Sequence, residues 1–137
     1  MFACTLSAAG ELRFSNAGHS RPFVLHAGGQ TLDVLDQDGF PVGLLEMATY
    51  PVHHVQLVPG DTVILFSDGV EDSKRSPNEF FGRERIAASI VKNSRLSLQG
   101  LHDALRADLA AFVGDAEPHD DATLLLLRYC GRLPTSP

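Results

Sequence analysis

The residues best suited to chemistry in this sequence are aspartates that stand where strongly apolar segments end or begin. Asp68 follows an apolar, strand-like run and precedes Gly69, while Asp120 and Asp121 come just before the aliphatic segment Ala122–Tyr129. If the two apolar segments are neighbouring antiparallel strands, these acids lie at the same edge of one sheet. Converging carboxylates repel one another, and a hard cation such as Mg²⁺ or Mn²⁺ relieves that repulsion by accepting oxygen ligands. The pattern therefore predicts a metal site.

The same acids also have an ordinary structural interpretation. Asp-Gly is among the commonest turn dipeptides, so Asp68 and Gly69 could form a simple turn, and Asp120 could bond its own backbone in another. No Gly-x-Ser-x-Gly elbow and no GxxxxGK phosphate loop occurs in the sequence, and neither cysteine has an activating neighbour. A side-chain nucleophile is therefore not expected. From the residues alone, the metal site and the pair of turns both stay open.

The overall composition excludes several classes of protein. The 137 residues, 44% of them hydrophobic and 20% charged, are enough for one domain. The longest aliphatic run, Leu124–Leu127, is too short to span a bilayer, and no basic leader precedes the first strand-like segment, so a cytoplasmic location is expected. A net charge of −6 without a basic stripe argues against nucleic-acid partners. Cys4 and Cys130 lack metal-site spacing and are expected to be buried free thiols.

The first half of the chain reads as short strands separated by turns. Alternating apolar residues predict four strands that form an antiparallel meander, at Phe2–Leu6, Glu11–Asn16, Pro22–His26 and Thr31–Leu35. The alternating segments Tyr50–Val58 and Thr62–Ser67 flank the turn residues Pro59-Gly60-Asp61, which predicts a second hairpin.

The second half changes to helical spacing and then to a last strand. Apolar residues spaced for one helical face predict amphipathic helices at Phe81–Val91 and at Ser97–Val113, with Ser97 as the N-cap. The basic pair Lys74-Arg75 is interpreted as a solvated helix end. The aliphatic segment Ala122–Tyr129 predicts a central strand that is covered on both faces. The fold class expected from this order of elements is α+β.

Five short motifs, taken in order, carry a resemblance to a known family. The sequence resembles the C-terminal half of the PPM-type, protein phosphatase 2C-like serine/threonine phosphatase domain of the bacterial SpoIIE and RsbU group. The matching stretches are Asn16-Ala17-Gly18-His19, Gly39-Phe40-Pro41-Val42-Gly43, Pro59-Gly60-Asp61 leading into Phe66–Glu71, Phe81–Ile86 and Asp120–Leu124. On this basis residues 1–130 form the C-terminal portion of the domain, and residues 131–137 form a frayed tail.

The resemblance implies both an architecture and a site. The architecture is an α-β-β-α sandwich of two antiparallel sheets flanked by helices, of which this chain would hold only part. The site is a binuclear Mn²⁺ or Mg²⁺ centre with Asp68 and Asp120 as ligands and Asp121 as a weaker candidate, while Gly69 and His19 belong to structural motifs nearby. A metal-activated water attacks the phosphoryl group in such enzymes, so no catalytic side-chain nucleophile is implied.

The sequence also departs from the family pattern. The resemblance leads us to expect an upstream half with a GD-x-x-GHG motif, which this chain lacks, and Ser67 stands where threonine is commoner. Two interpretations follow. The chain is either part of an active phosphatase that acts on a phosphoprotein, by analogy a small anti-sigma-factor antagonist, or an inactive half-domain that serves as a binding scaffold in a sigma-factor pathway. In either case the 137 residues alone are expected to be inactive. A homodimer paired through an exposed edge strand is a further possibility.

Overall fold

The structure is a computed structural model that describes residues 1–116 and 120–131. The strands in chain order are β1 Phe2–Leu6, β2 Glu11–Asn16, β3 Phe23–Leu25, β4 Leu32–Val34, β5 His53–Gln56, β6 Thr62–Phe66, β7 Lys74–Ser76, β8 Glu79–Phe80 and β9 Leu124–Arg128. The helices are α1 Asp68–Glu71, α2 Gly82–Lys92 and α3 Leu98–Val113. The predicted tail lies, from residue 132 onward, outside the described residues. No helix in the described ranges is long and apolar enough to cross a membrane.

The strands form two antiparallel sheets and a small ribbon. The first sheet has the order β1-β2-β5, the second β4-β3-β6-β9, and β7 pairs with β8. The α+β class and the two antiparallel sheets are therefore confirmed. The predicted meander is wrong, because the β1-β2 hairpin belongs to one sheet and the β3-β4 hairpin to the other. The segment between Asn16 and Phe23 carries the chain across.

The predicted hairpin around Pro59-Gly60-Asp61 is also wrong. Strand β5 pairs with β2, whereas β6 pairs with β3 and β9, so these residues carry the chain from one sheet to the other. The Asp61 side chain is only 1% exposed, and its carboxylate accepts the amide N–H groups of Ala27 at 2.7 Å and Val58 at 2.9 Å. A buried carboxylate that accepts two backbone amides fixes the crossover.

Two hydrophobic cores separate the molecule into layers. Strands β3 and β6 contribute to both: Phe23 and Ile64 face the helices, while Val24 and Val63 face the first sheet. Side chains alternate across a strand, so these central strands are apolar on both faces. The core against the helices is completed mainly by α2 and α3 through Ile86, Ile90, Leu101, Leu105 and Phe112. The layers are thus helices, second sheet and first sheet.

Helices α2 and α3 match their predicted positions closely. The Ser97 hydroxyl accepts the Gly100 amide at 3.0 Å and caps α3, as the sequence predicts. The pair Lys74-Arg75 is not a helix end: it lies in β7, where the Arg75 guanidinium stacks over the Phe112 ring at 4.8 Å. The short helix α1 was not predicted, since Asp-Gly suggests only a turn.

The last strand and the cysteines also correct the sequence predictions. Among the described residues β9 pairs with β6 alone, so it is an edge strand rather than a central one. Leu124 and Leu126 pack towards the helices, whereas Leu125 and Leu127 are 57% and 38% exposed. The all-aliphatic sequence predicts a strand covered on both faces, but only one face of β9 is covered by the described chain. Both cysteines are exposed rather than buried.

Candidate metal centre

The segments that carry the predicted acids meet at one end of the second sheet. Strands β6 and β9 run antiparallel with Phe66 opposite Leu124, so Asp68 leaves one strand where the segment from Asp120 enters the other. The antiparallel pairing on which the metal-site prediction depends is therefore confirmed. The topology brings together segments that are far apart in sequence and that carry these acids.

Backbone contacts hold the two acid-bearing segments together. The Ser67 amide donates to the Thr123 carbonyl at 3.0 Å, and the Ser67 hydroxyl donates to the Asp121 carbonyl at 3.0 Å. Gly69 lies directly against the same carbonyl: a Cβ atom at this position would stand 2.4 Å from the Asp121 oxygen. The segment that carries Asp68 and the segment that carries Asp120 thus touch through their main chains.

The acidic side chains themselves are exposed and bonded only locally. Asp68 accepts the amide of the next residue, Gly69, at 3.1 Å, and Asp120 accepts the amide of Asp121 at 2.7 Å. Within the described ranges, none of Asp68, Asp120 and Asp121 forms an ion pair with Lys, Arg or His. Exposed carboxylates without a basic partner are available as oxygen donors for a hard divalent cation.

The number of donors is smaller than a complete site requires. In the part of the chain that the structure describes, no group of three or more His, Cys, Asp or Glu side chains is arranged to hold a metal ion. Divalent Ca²⁺ and Mg²⁺ take about six oxygen ligands, some of them water. The donor chemistry at this edge therefore fits Mn²⁺ or Mg²⁺, while the described donors are too few to complete a site.

An arginine braces the short helix that begins at Asp68. The Arg83 guanidinium stacks over the rings of Phe23 at 4.7 Å and Phe66 at 5.4 Å. It also forms an ion pair with Glu71, the last residue of α1, at 3.5 Å and donates to the Arg21 carbonyl at 2.8 Å. Arg83 therefore connects α2 to α1 and to the start of β3. Through its contact with Glu71 it positions the helix that begins at Asp68.

A second arginine anchors the loop that carries Gly39. Arg21 donates from Nε to Asp38 at 2.8 Å and pairs with it again through its second guanidinium nitrogen. These hydrogen bonds, with the charge of Arg21 behind them, hold the pKa of Asp38 below its usual value against a smaller opposing effect of desolvation. The contact leaves Asp38 charged and paired, so this acid is not a free metal ligand.

His19 lies in a turn that is closed by its own neighbours. Asn16 accepts the His19 amide at 2.8 Å and donates to the His19 carbonyl at 3.0 Å. The His19 ring donates from Nδ1 to the Ser20 carbonyl at 2.7 Å and lies 6.0 Å from the ring of Phe2. These contacts shape a turn, and among the described residues none of them joins His19 to Asp68 or Asp120.

Replacement of Gly69 tests how closely the two segments must approach. We expect Gly69→Ala to lower the free energy of unfolding by about 1–3 kcal/mol, the usual cost of forcing extra atoms into a packed contact. The reason is that the new Cβ would meet the backbone of Asp121, which cannot move away as a side chain could. Denaturant unfolding measures the effect.

Gly100→Ala is the matched control for this substitution. Gly100 lies in α3, and a Cβ there would meet only side-chain atoms of Leu96 and Ser97 at 3.2 Å. Alanine also favours the helix, so we expect a smaller change than at Gly69. Equal losses in the two variants would contradict the close contact between Gly69 and Asp121.

The sequence did not reveal Ser67 and Arg83 as parts of this edge. Ser67 was noted only as a departure from the commoner threonine, and Arg83 only as a member of a matching motif. For Ser67 the sequence did hold a signal of a role at this site: its hydroxyl directly precedes an acid at the end of a strand. For Arg83 the local sequence held no signal, because its partners Phe23 and Phe66 come from distant strands.

Comparison with known proteins decides the family. Residues 1–129 match the family model described as Stage II sporulation protein E (SpoIIE). The chain belongs to the SpoIIE family. Among the described residues, the match covers both sheets and helices α1, α2 and α3. It also covers the acid-bearing edge, which is the pair of strand ends next to Asp68 and Asp120.

Members and structural relatives of the SpoIIE family include protein phosphatases. The phosphoserine phosphatase RsbU of Bacillus subtilis is 29% identical over 118 residues, which are 86% of this chain and 35% of RsbU. The SiaA-PP2C domain of Pseudomonas aeruginosa has a TM-score of 0.75 and 27% identity, over 88% of this chain and 47% of that one. The relatives of this chain are therefore PP2C-type phosphatases.

A more distant structure shares the fold. The phosphatase domain of SpoIIE from Bacillus subtilis, solved after presoaking in Mn, has a TM-score of 0.73 and 17% identity, over 99% of this chain and 59% of that one. Protein IcfG of Synechocystis is also 29% identical, over 116 residues that are 85% of this chain and 18% of IcfG. The present chain therefore spans between 18% and 59% of the length of these relatives. Its architecture is the predicted part of a PP2C-like domain.

Proposed function

We propose that this chain is the C-terminal portion of a metal-dependent protein serine/threonine phosphatase domain. In this proposal Asp68 and Asp120 bind Mn²⁺ or Mg²⁺, with Asp121 as a further candidate ligand. The observation that carries the proposal is the meeting of the Asp68 and Asp120 segments at one sheet edge, in a chain of the SpoIIE family. The remaining ligands would come from outside the described residues.

Each part of this edge has a distinct role in the proposal. The carboxylates of Asp68 and Asp120 hold the cation, and Arg83 keeps the helix of Asp68 in place. Two such ions, when bound, lower the pKa of a coordinated water and neutralise the phosphoryl oxygens. The proposal therefore requires no serine or cysteine side chain as the nucleophile.

The substrate we propose is a phosphoserine or phosphothreonine protein. Similarity to the phosphoserine phosphatase RsbU supports this class of substrate. By the same analogy we propose a small anti-sigma-factor antagonist as the phosphoprotein and the cytoplasm as the location.

The test is hydrolysis of a phosphoserine peptide by the full-length protein that carries this sequence. We expect turnover that requires Mn²⁺ or Mg²⁺ and stops when EDTA is added. The 137-residue chain alone should bind Mn²⁺ weakly and turn over little, because its described donors are too few to complete a site. Hydrolysis that EDTA leaves unchanged would contradict the proposal.

A binding scaffold is the second candidate function. It is favoured by the small number of clustered donors in the described chain. A scaffold would bind its protein partner equally well with and without EDTA, which a pull-down with a phosphorylated and an unphosphorylated partner would measure.

Pairing of two copies of the chain along the edge strand β9 stays a prediction, and sedimentation of the chain would reveal it.

A further inference from the structure

The hydroxyl of Ser67 bridges the two segments that bear the acids. Its oxygen accepts the Thr123 amide at 2.9 Å and donates to the Asp121 carbonyl at 3.0 Å. The Ser67 amide adds a third hydrogen bond, to the Thr123 carbonyl at 3.0 Å. One residue thus joins the end of β6 to the stretch that follows Asp120.

The local geometry shows that this bridge replaces another bond that serine usually makes. Ser67 occupies the N-cap position of α1, where a serine side chain normally accepts an amide from the first helical turn. Here the Ser67 hydroxyl makes no such cap. The hydroxyl points towards the opposite segment instead. The helix therefore has no side-chain cap, and the hydroxyl forms two hydrogen bonds to the backbone of Asp121 and Thr123.

We propose that Ser67 is a positioning residue, whose hydroxyl fixes the separation between Asp68 and the Asp120-Asp121 segment. The inference rests on the proposed metal-dependent function. The strand ladder ends at Phe66 and Leu124. Beyond it, one backbone bond from the Ser67 amide to Thr123 and the two bonds of the Ser67 hydroxyl join the segments. Like-charged carboxylates on the two segments repel one another, and the Ser67 bridge keeps the segments together before a cation arrives.

The bridge requires a group that both donates and accepts. A hydroxyl does both, whereas an alkyl group does neither. Threonine keeps the hydroxyl, and the extended backbone of Ser67, with φ −74° and ψ 162°, suits a β-branched residue. Valine has nearly the shape of threonine without the hydroxyl. The variants Ser67→Thr and Ser67→Val therefore separate hydrogen bonding from packing.

The experiment compares these variants in two measurements on the 137-residue chain. The first is hydrogen exchange of the Thr123 amide without metal, and the second is the affinity for Mn²⁺. We expect Ser67→Val to speed Thr123 exchange by about tenfold or more and to weaken Mn²⁺ binding by about 10- to 100-fold, the range for loss of a group that orients a metal ligand. Ser67→Thr should keep both values.

Ser97→Ala is the control for the loss of a serine hydroxyl elsewhere. The Ser97 hydroxyl also accepts one backbone amide, that of Gly100, but at the start of α3. We expect this variant to lower stability while leaving Thr123 exchange, relative to global unfolding, and Mn²⁺ affinity unchanged. Equal weakening of Mn²⁺ binding by Ser97→Ala and Ser67→Val would overturn the positioning role.

The two measurements also separate this inference from the proposed function. If the unaltered chain and the full-length protein bind no Mn²⁺, the metal-dependent function fails, and Thr123 exchange alone decides whether Ser67 joins the segments. If the unaltered chain binds Mn²⁺ but Ser67→Val leaves Thr123 exchange and affinity unchanged, the positioning role is wrong and the metal site stands.

Discussion

The Asp68→Asn variant of the full-length protein should lose Mn²⁺-dependent phosphatase activity by more than about 100-fold. Loss of a group that only orients a metal ligand costs about 10- to 100-fold in affinity or activity, and loss of the ligand itself should cost more. Asparagine keeps the size of the side chain and one oxygen, but it removes the charge that attracts the cation. Initial rates on a phosphoserine peptide over a range of Mn²⁺ concentrations measure the loss.

Stability should change little in this variant. Asp68 is exposed, and its hydrogen bond to the Gly69 amide can be kept by the asparagine oxygen. Asp72→Asn is the matched control, because Asp72 is also exposed and lies at the other end of the same short helix. We expect it to retain activity. An active Asp68→Asn protein, or equal losses in both variants, would refute the assignment of Asp68 as a ligand.

Asp61→Ala should have the largest effect on stability, a loss of about 3–5 kcal/mol in the free energy of unfolding. The substitution removes two charge-assisted hydrogen bonds and leaves the buried amides of Ala27 and Val58 without their acceptor. Each bond to a charged group contributes about 1.5–3 kcal/mol. Because a domain is stable by only about 5–15 kcal/mol, the loss is a large fraction of the total.

Denaturant unfolding measures this loss, and Asp36→Ala is its control. Asp36 is exposed and accepts only from the side chain of the adjacent Gln37, so its removal should cost under about 0.5 kcal/mol. Asp61 lies at the opposite end of β6 from Asp68, so Asp61→Ala should leave Mn²⁺ affinity unchanged under conditions where it is folded. A stable Asp61→Ala protein would show that the crossover needs no clamp.

Local patterns predicted most of the elements but not how they associate. Strands β1 and β2 and helix α3 lie where alternation and capping placed them, because turn residues and Ser97 mark their ends. The hairpin predicted around Asp61 failed because a turn signal does not state whether the strands on its two sides share a sheet. That choice depends on the buried bonds of Asp61 to Ala27 and Val58.

The sequence likewise predicted one part of the candidate site and not another. The approach of the segments that carry Asp68 and Asp120 could be predicted because it follows from strand ends and one assumed pairing, which the structure contains. The bracing by Arg83 could not, since the Phe23 and Phe66 rings reach it only in the folded molecule. The exposure of Leu125 on β9 could not be predicted from the sequence. An aliphatic composition shows that both faces of a strand are suited to burial, but it does not show whether another element packs on each face.

The pairing of β6 with β9 also has a kinetic consequence. Helices α2 and α3 lie in the sequence between these strands, so pairing β6 with β9 closes a long loop. Closing that loop costs chain entropy before the contacts between the two strands contribute stabilising free energy. Helices α2 and α3 consist of local contacts and can form first. We therefore expect the acid-bearing edge to be among the last parts of the molecule to form. On the ribosome it can form only after Leu124–Arg128 has left the exit tunnel, so a chain interrupted before β9 would lack the site.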